Sequence, residues 1–334
     1  MGNTLDRLRE RTNGYTLTPA QYAIVAYAAL VALTLIVLTG AAVRLTGSGL
    51  GCPTWPKCYG NVYPPLNTHA VIEFSNRLLT VPVSIAAGLA WLGALRRRPY
   101  RRDLMWLGAL LPLGVIGQAV LGGFTVRGAL DYGWVMGHFA LSMLILADAV
   151  ALLWRATRVP DGAPSSSDVA RESADVTLVW SVRALVALGA LTIFAGTAAT
   201  AAGPHAGGSP GQKINRLDID GRGTMDFVIH RHGEIALVFG LASLVIWWLA
   251  RRREADPALR RALTALCVLI ALQGIVGLDQ YKTHLPTELV WVHVGLACMA
   301  WIATLWAAYA AGPGAPSVAP AQERHVAPRA RISA

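Results

Sequence analysis

Two histidines recur in this chain with the same company at the same spacing. Gln118 lies 20 residues before His138, in Gln-Ala-Val-Leu-Gly-Gly followed by Met-Gly-His, and Gln273 lies 20 residues before His293, in Gln-Gly-Ile-Val-Gly-Leu followed by Trp-Val-His. His138 and His293 are 155 residues apart, as are Gln118 and Gln273. His230 sits in another apolar stretch, and His69, Glu73, Asn76 and Arg77 share a further one. Ionisable groups inside apolar segments are costly, which makes each a candidate for function. Counted inward from the ends of their segments, His138, His230 and His293 lie ~6 to 8 Å along a helix and form one layer. A lone histidine there would simply hydrogen-bond a neighbouring helix. Two pairs at matched depth are what two haem sites need, with neutral imidazoles converging from facing helices onto an iron.

Helical geometry narrows the set. His69 and Asn76, seven residues apart, are nearly eclipsed on a helix with Glu73 between them, so one face of that span is polar. His230 and His232 point about 200° apart and cannot share a cavity. His230 is favoured because His230-Arg231 takes the repeat position of Asn76-Arg77, and His232 is read as a packing or supporting residue. Arg77 and Arg231 can pair with anionic propionates or, equally well, with Glu73 and Glu234. Cys52 and Cys58 bracket Cys-Pro-Thr-Trp-Pro-Lys-Cys. Outside the cytoplasm such a pair oxidises readily, so a structural or redox-labile disulfide ranks ahead of a catalytic dithiol, and a zinc pattern lacks its second pair. Cys267 and Cys298 read as small apolar packing residues. Asp148 falls ~15 Å deeper than His138 and outside the site. The glycine-rich run at 203–211 has neither the strand before it nor the Lys-Ser/Thr after it that a phosphate loop needs.

The elements that must hold these residues are membrane spans. Of 334 residues 54% are hydrophobic and 14% charged, against about 25% charged in soluble domains. Eight apolar blocks, at 20–42, 70–94, 103–125, 134–154, 178–200, 227–250, 260–278 and 288–311, are each long enough to cross a ~30 Å hydrocarbon layer. The sequence predicts an all-α integral membrane protein of eight transmembrane helices, built as two tandem four-helix bundles related by a pseudo-twofold axis along the membrane normal. The bundles occupy 20–155 and 178–311, joined by a linker at 156–177 and flanked by tails at 1–19 and 312–334. This excludes a soluble enzyme, a disordered chain and a disulfide-rich secreted scaffold.

Arginines gather on one side of that arrangement. Arg7, Arg9 and Arg11 precede the first span; Arg96, Arg97, Arg98, Arg101 and Arg102 follow the second; Arg251, Arg252, Arg253, Arg260 and Arg261 follow the sixth; Arg324, Arg329 and Arg331 lie in the tail. Short cytoplasmic loops collect basic residues, so both termini are expected in the cytoplasm of a bacterial-type cell, with the histidine layer near the outer face. The net charge of +10 is thereby a topology signal and a contact with the anionic lipid bilayer, with no nucleic-acid partner expected. The first block is a full span behind a charged tail, and no cleaved signal peptide is expected.

Taken together, Arg44-Leu-Thr-Gly-Ser-Gly-Leu-Gly-Cys52-Pro-Thr-Trp-Pro-Lys-Cys58, Val71-Ile-Glu73-Phe-Ser-Asn76-Arg77, Gly137-His138, His230-Arg231 and His293 resemble the heme A synthase family over residues 20–310. The resemblance implies an oxidoreductase that converts the C8 methyl of heme O to a formyl group. It implies a substrate haem in the first half and a resident haem b in the second. His230 and His293 would be the haem b ligands, His138 a ligand in the substrate half, Glu73 the catalytic carboxylate, and Cys52 with Cys58 a disulfide. Partners would be the heme O synthase and a membrane electron acceptor that the sequence does not name.

One position departs from the family. Asn76 stands where the motif commonly has histidine, and an amide is a poor iron ligand beside imidazole. Either the substrate iron is five-coordinate on His138 or His69 reaches over; five-coordination is preferred, because seven residues is ~10 Å of axial displacement. A carboxylate at Glu73 can stabilise positive charge on the oxidised carbon or take a proton from attacking water. The leading alternative is a di-haem b electron carrier exchanging electrons with quinone, against which Glu73 beside an incomplete ligand set argues. A metal or haem transporter is weakened by the lack of helices broken at mid-membrane.

Overall fold

The computed structural model describes residues 15–159, 161, 175–209, 211–219 and 223–312. The tail arginines and most of the expected linker lie outside the described residues. Among the described residues eight long helices carry the fold: α1 Pro19–Leu45, α2 Thr68–Arg96, α3 Arg102–Arg127, α4 Tyr132–Arg158, α5 Val176–Ala202, α6 Thr224–Arg252, α7 Pro257–Lys282 and α8 Thr287–Ala311. All eight are long and apolar enough to cross a membrane, and the described residues contain no strand, only the isolated bridges Leu17 to Arg97 and Cys58 to Asn61. The chain is a multi-pass membrane protein. The helices run up to four residues past the apolar blocks because polar residues at their mouths still satisfy the first backbone N–H groups. Thr18 and Gln21 close a capping box on α1, Asn67 Oδ1 accepts from Ala70 N at 2.9 Å to start α2, and Asp131 and Asp256 cap α4 and α7.

Packing follows chain order. Helix α1 touches α2 and α4, and α3 touches α2 and α4, so the first four close into a ring; α5 to α8 close likewise. The rings meet where α8 packs on α1 and α4, and α4 on α5. Within the first ring small residues bring backbones close, as membrane helices require when lipid is as apolar as the core. A Cβ on Gly108 would stand 3.0 Å from Ala90 O, and the Tyr22 hydroxyl donates to that same carbonyl at 3.1 Å. Trp301 of α8 belongs to the buried cluster of the first ring, and its indole N–H donates to Met143 O at 3.0 Å. This ties the rings together at mid-depth.

Candidate functional site

The second ring brings two histidines together edge to face. The rings of His232 and His293 lie 6.2 Å apart, centroid to centroid, at 75°. They stand on α6 and α8, the diagonal of the ring, since those two helices do not themselves pack together. The Nδ1 of His232 lies 3.1 Å from Thr192 O; a carbonyl only accepts, so that nitrogen carries the proton and Nε2 keeps its lone pair. His293 Nδ1 is buried without a partner. Glycine makes room for both: a Cβ on Gly196 would stand 3.1 Å from His232 Cε1, and one on Gly277 3.2 Å from His293 Cε1.

The first ring repeats half of this. A Cβ on Gly122 would stand 3.4 Å from His138 Cε1, and His138 Nδ1 is buried without a partner. Gln118 Nε2 donates to His138 O at 3.0 Å and to Ser142 Oγ at 2.7 Å. Gln273 Nε2 donates to His293 O at the same 3.0 Å. On α2 the Asn76 amide faces Gly40, whose Cβ would stand 4.0 Å from Asn76 Nδ2, and Asn76 Oδ1 is buried without a partner. Gly40 and Gly196 are 156 residues apart, and so are Asn76 and His232.

That register corrects an expectation. His230 does not face His293: it is exposed, its Nδ1 is 2.7 Å from Asp226 O, and its ring stands edge-on to Tyr281 at 6.2 Å. Arg231 is likewise exposed, bonded to Glu234 at 2.5 Å and lying over Phe227, so it is no repeat partner of the enclosed Arg77. The reason is the buried stripe of α6, Val228, Phe239, Ser243, Ile246 and Ala250, on which His232 falls and His230 does not. The signal in the sequence that points to His232 is the 156-residue offset it shares, from Asn76, with Gly40 and Gly196.

Above the first ring, the loop between α1 and α2 is folded onto α2 by one carboxylate and one guanidinium. Cys52 and Cys58 form a disulfide, their Cα atoms 4.7 Å apart. Glu73 is 6% exposed; its Oε2 accepts from Cys52 N at 2.6 Å and its Oε1 pairs with Arg77. Arg77, considered above for a propionate, donates instead to the carbonyls of Thr54 and Cys52 at 2.9 Å each and lies over Trp55. His69 is held at the mouth of α2, its Nδ1 3.0 Å from Ser48 Oγ.

A second loop, which contains the glycine-rich run at 203–211, crosses from the other ring. Residues 203–219 join α5 to α6, yet Gly207 O accepts from Gly49 N at 2.9 Å, Ser209 Oγ donates to Gly47 O at 2.8 Å and Asn215 Nδ2 donates to Asp131 Oδ2 at 2.6 Å. Arg44 Nε donates to His205 O at 3.0 Å, and His205 Nε2 bonds Leu285 O at 2.7 Å. The two rings are therefore stitched together across the seam at the end that carries the disulfide loop.

Residues 23–305 match the cytochrome oxidase assembly protein family COX15-CtaA. The heme A synthase of Shewanella oneidensis is 28% identical over 309 residues, covering 81% of this chain and 90% of that protein. The heme A synthase of Lysinibacillus sphaericus is 39% identical over 131 residues, 38% of this chain and 42% of that protein, so this match spans less than half of that relative. The protoheme IX farnesyltransferase of Thermus thermophilus is 26% identical over 303 residues, which is 85% of this chain and 48% of that protein. With an eight-helix membrane architecture and paired histidines in facing positions, the chain belongs to the heme A synthase family of cytochrome oxidase assembly proteins.

Proposed function

We propose that this protein oxidises heme O to heme A in its first ring and holds a haem b in its second as an electron relay. The observation that carries this is the His232 and His293 pair. Two imidazole nitrogens each ~2 Å from a metal, with ring radii of about 1 Å, set ring centroids about 6 Å apart, in keeping with the 6.2 Å found. The Thr192 carbonyl fixes the His232 tautomer that leaves Nε2 available, the arrangement typical of metal-bound histidine. These two residues, rather than His230 and His293, are the proposed haem b ligands. When bound, haem b supplies a one-electron redox centre.

Converting the ring methyl to a formyl group consumes one water and releases four protons and four electrons, the electrons leaving for a membrane acceptor. His138 is the residue that would hold the iron of the substrate. Glu73, with its oxygens committed to Arg77 and Cys52 N, is suited to stabilising positive charge at the oxidised carbon rather than to carrying protons. The disulfide loop covers that side and excludes water. Both termini are proposed to be cytoplasmic, with the sites near the outer face and the two rings as copies of one unit. A relative named protoheme IX farnesyltransferase supports a working partnership with the enzyme that supplies heme O. The test is to express the chain with a heme O supply and resolve extracted haems by chromatography: heme A is expected, and heme O alone with two haems per chain would favour the di-haem electron carrier.

A further inference from the structure

We infer that the first ring holds its heme through one protein imidazole and leaves the opposite side open to a small exogenous nitrogen ligand, with Asn76 there as its hydrogen-bond acceptor. This rests on the proposal that each ring takes a haem. Within one chain the two rings act as each other's control. Gly122 and Gly277 seat His138 and His293 alike, and Gln118 and Gln273 bond the backbone of those histidines at the same 3.0 Å. Gly40 and Gly196 occupy matching places on α1 and α5, and what each faces differs: Asn76 in the first ring, His232 in the second. An amide is shorter than imidazole and a weak donor to iron.

No neighbour on the α2 stripe makes up the difference. His69 is engaged with Ser48, and Glu73 with Arg77 and Cys52 N. The Asn76 Oδ1 is buried with no partner, so it carries an unmet capacity to accept one hydrogen bond. A neutral donor such as imidazole offers one nitrogen to iron and an N–H to that oxygen. One protein ligand instead of two also suits a heme that enters as substrate and leaves as product, whereas two suit one that stays.

The experiment is an imidazole titration of purified protein loaded with heme O and protohaem, followed by absorption and electron paramagnetic resonance, with haem content measured by extraction. Half of the haem should be high-spin and turn low-spin with imidazole, while the other half is low-spin throughout. Asn76→His should make the first half low-spin without imidazole and abolish the response. Asn76→Leu should keep the high-spin signal and weaken imidazole binding roughly fivefold, the worth of one ordinary hydrogen bond. His232→Asn should give the second ring the same response, which keeps the inference testable if Asn76→His fails to fold. Two haems per chain, both low-spin and indifferent to imidazole, would overturn it. One haem per chain would instead bring down the two-haem proposal, and this inference with it.

Discussion

His232 and His293 stand 6.2 Å apart across the diagonal of the second ring, whereas His230, two residues from His232, turns outward against Tyr281. One helix thus offers two histidines to two different environments, and substitution separates them. His232→Ala or His293→Ala is expected to abolish the low-spin bis-imidazole spectrum, and His230→Ala to leave it intact. An absorption spectrum of each purified variant decides; loss with His230→Ala and retention with His232→Ala would reverse the assignment.

The glycines beside the imidazoles predict a steric series. Gly277→Val presses on His293, because even a Cβ there stands 3.2 Å from Cε1, and the low-spin signal should shift or fall. Gly274→Ala, three residues earlier with nothing within 4 Å of its Cβ, should keep the spectrum and gain about 0.5–1 kcal/mol of helix stability. Thermal melting alongside spectroscopy distinguishes a local push from general damage.

Glu73→Gln keeps the size of the side chain and removes its charge. Heme A output should drop ~10² to 10³-fold, the usual worth of one preorganised charge in a dry site, with both haems retained. Chromatography of extracted haems should find heme O or a hydroxylated intermediate accumulating. Normal output would end the electrostatic role.

Arg77→Lys tests the loop rather than the charge. A lysine keeps the positive charge beside Glu73 but cannot reproduce the fork that spans Glu73 and the carbonyls of Cys52 and Thr54. The loop should become more open to protease, while the second ring keeps its spectrum. Unchanged cleavage kinetics would count against the clamp.

The Cys52 to Cys58 bond closes a short loop, worth about 2 kcal/mol in the chain-entropy model. Replacing both cysteines with serine should therefore lower heme A output well before it lowers the yield of folded protein. Mass spectrometry of protein purified without reductant should find the wild-type pair oxidised.

Much of the fold was legible because a span of apolar residues long enough to cross a bilayer has few alternatives. The like settings of His138 and His293 were legible too, since each follows a glutamine by 20 residues and that glutamine bonds its backbone carbonyl at 3.0 Å. The facing of His232 toward His293 was hidden because Arg231 resembles a copy of Arg77 in sequence, although one is solvent-facing and the other enclosed by a loop. What pairs with Arg77 was open in the sequence, since Glu73 one turn away and a propionate present the same chemistry. The crossing of residues 203–219 could not be read at all: its hydrogen bonds join residues up to 162 apart, and no local pattern encodes such a partner.

That crossing gives the two rings different histories during synthesis. Helices α1 to α4 are translated first, and Gly49, Gly47 and Asp131 meet Gly207, Ser209 and Asn215 only once α5 has been made. The newborn first ring thus has only its own α1–α2 loop above it until translation reaches the crossing segment, and the bonds that join the two rings there are among the late ones to form.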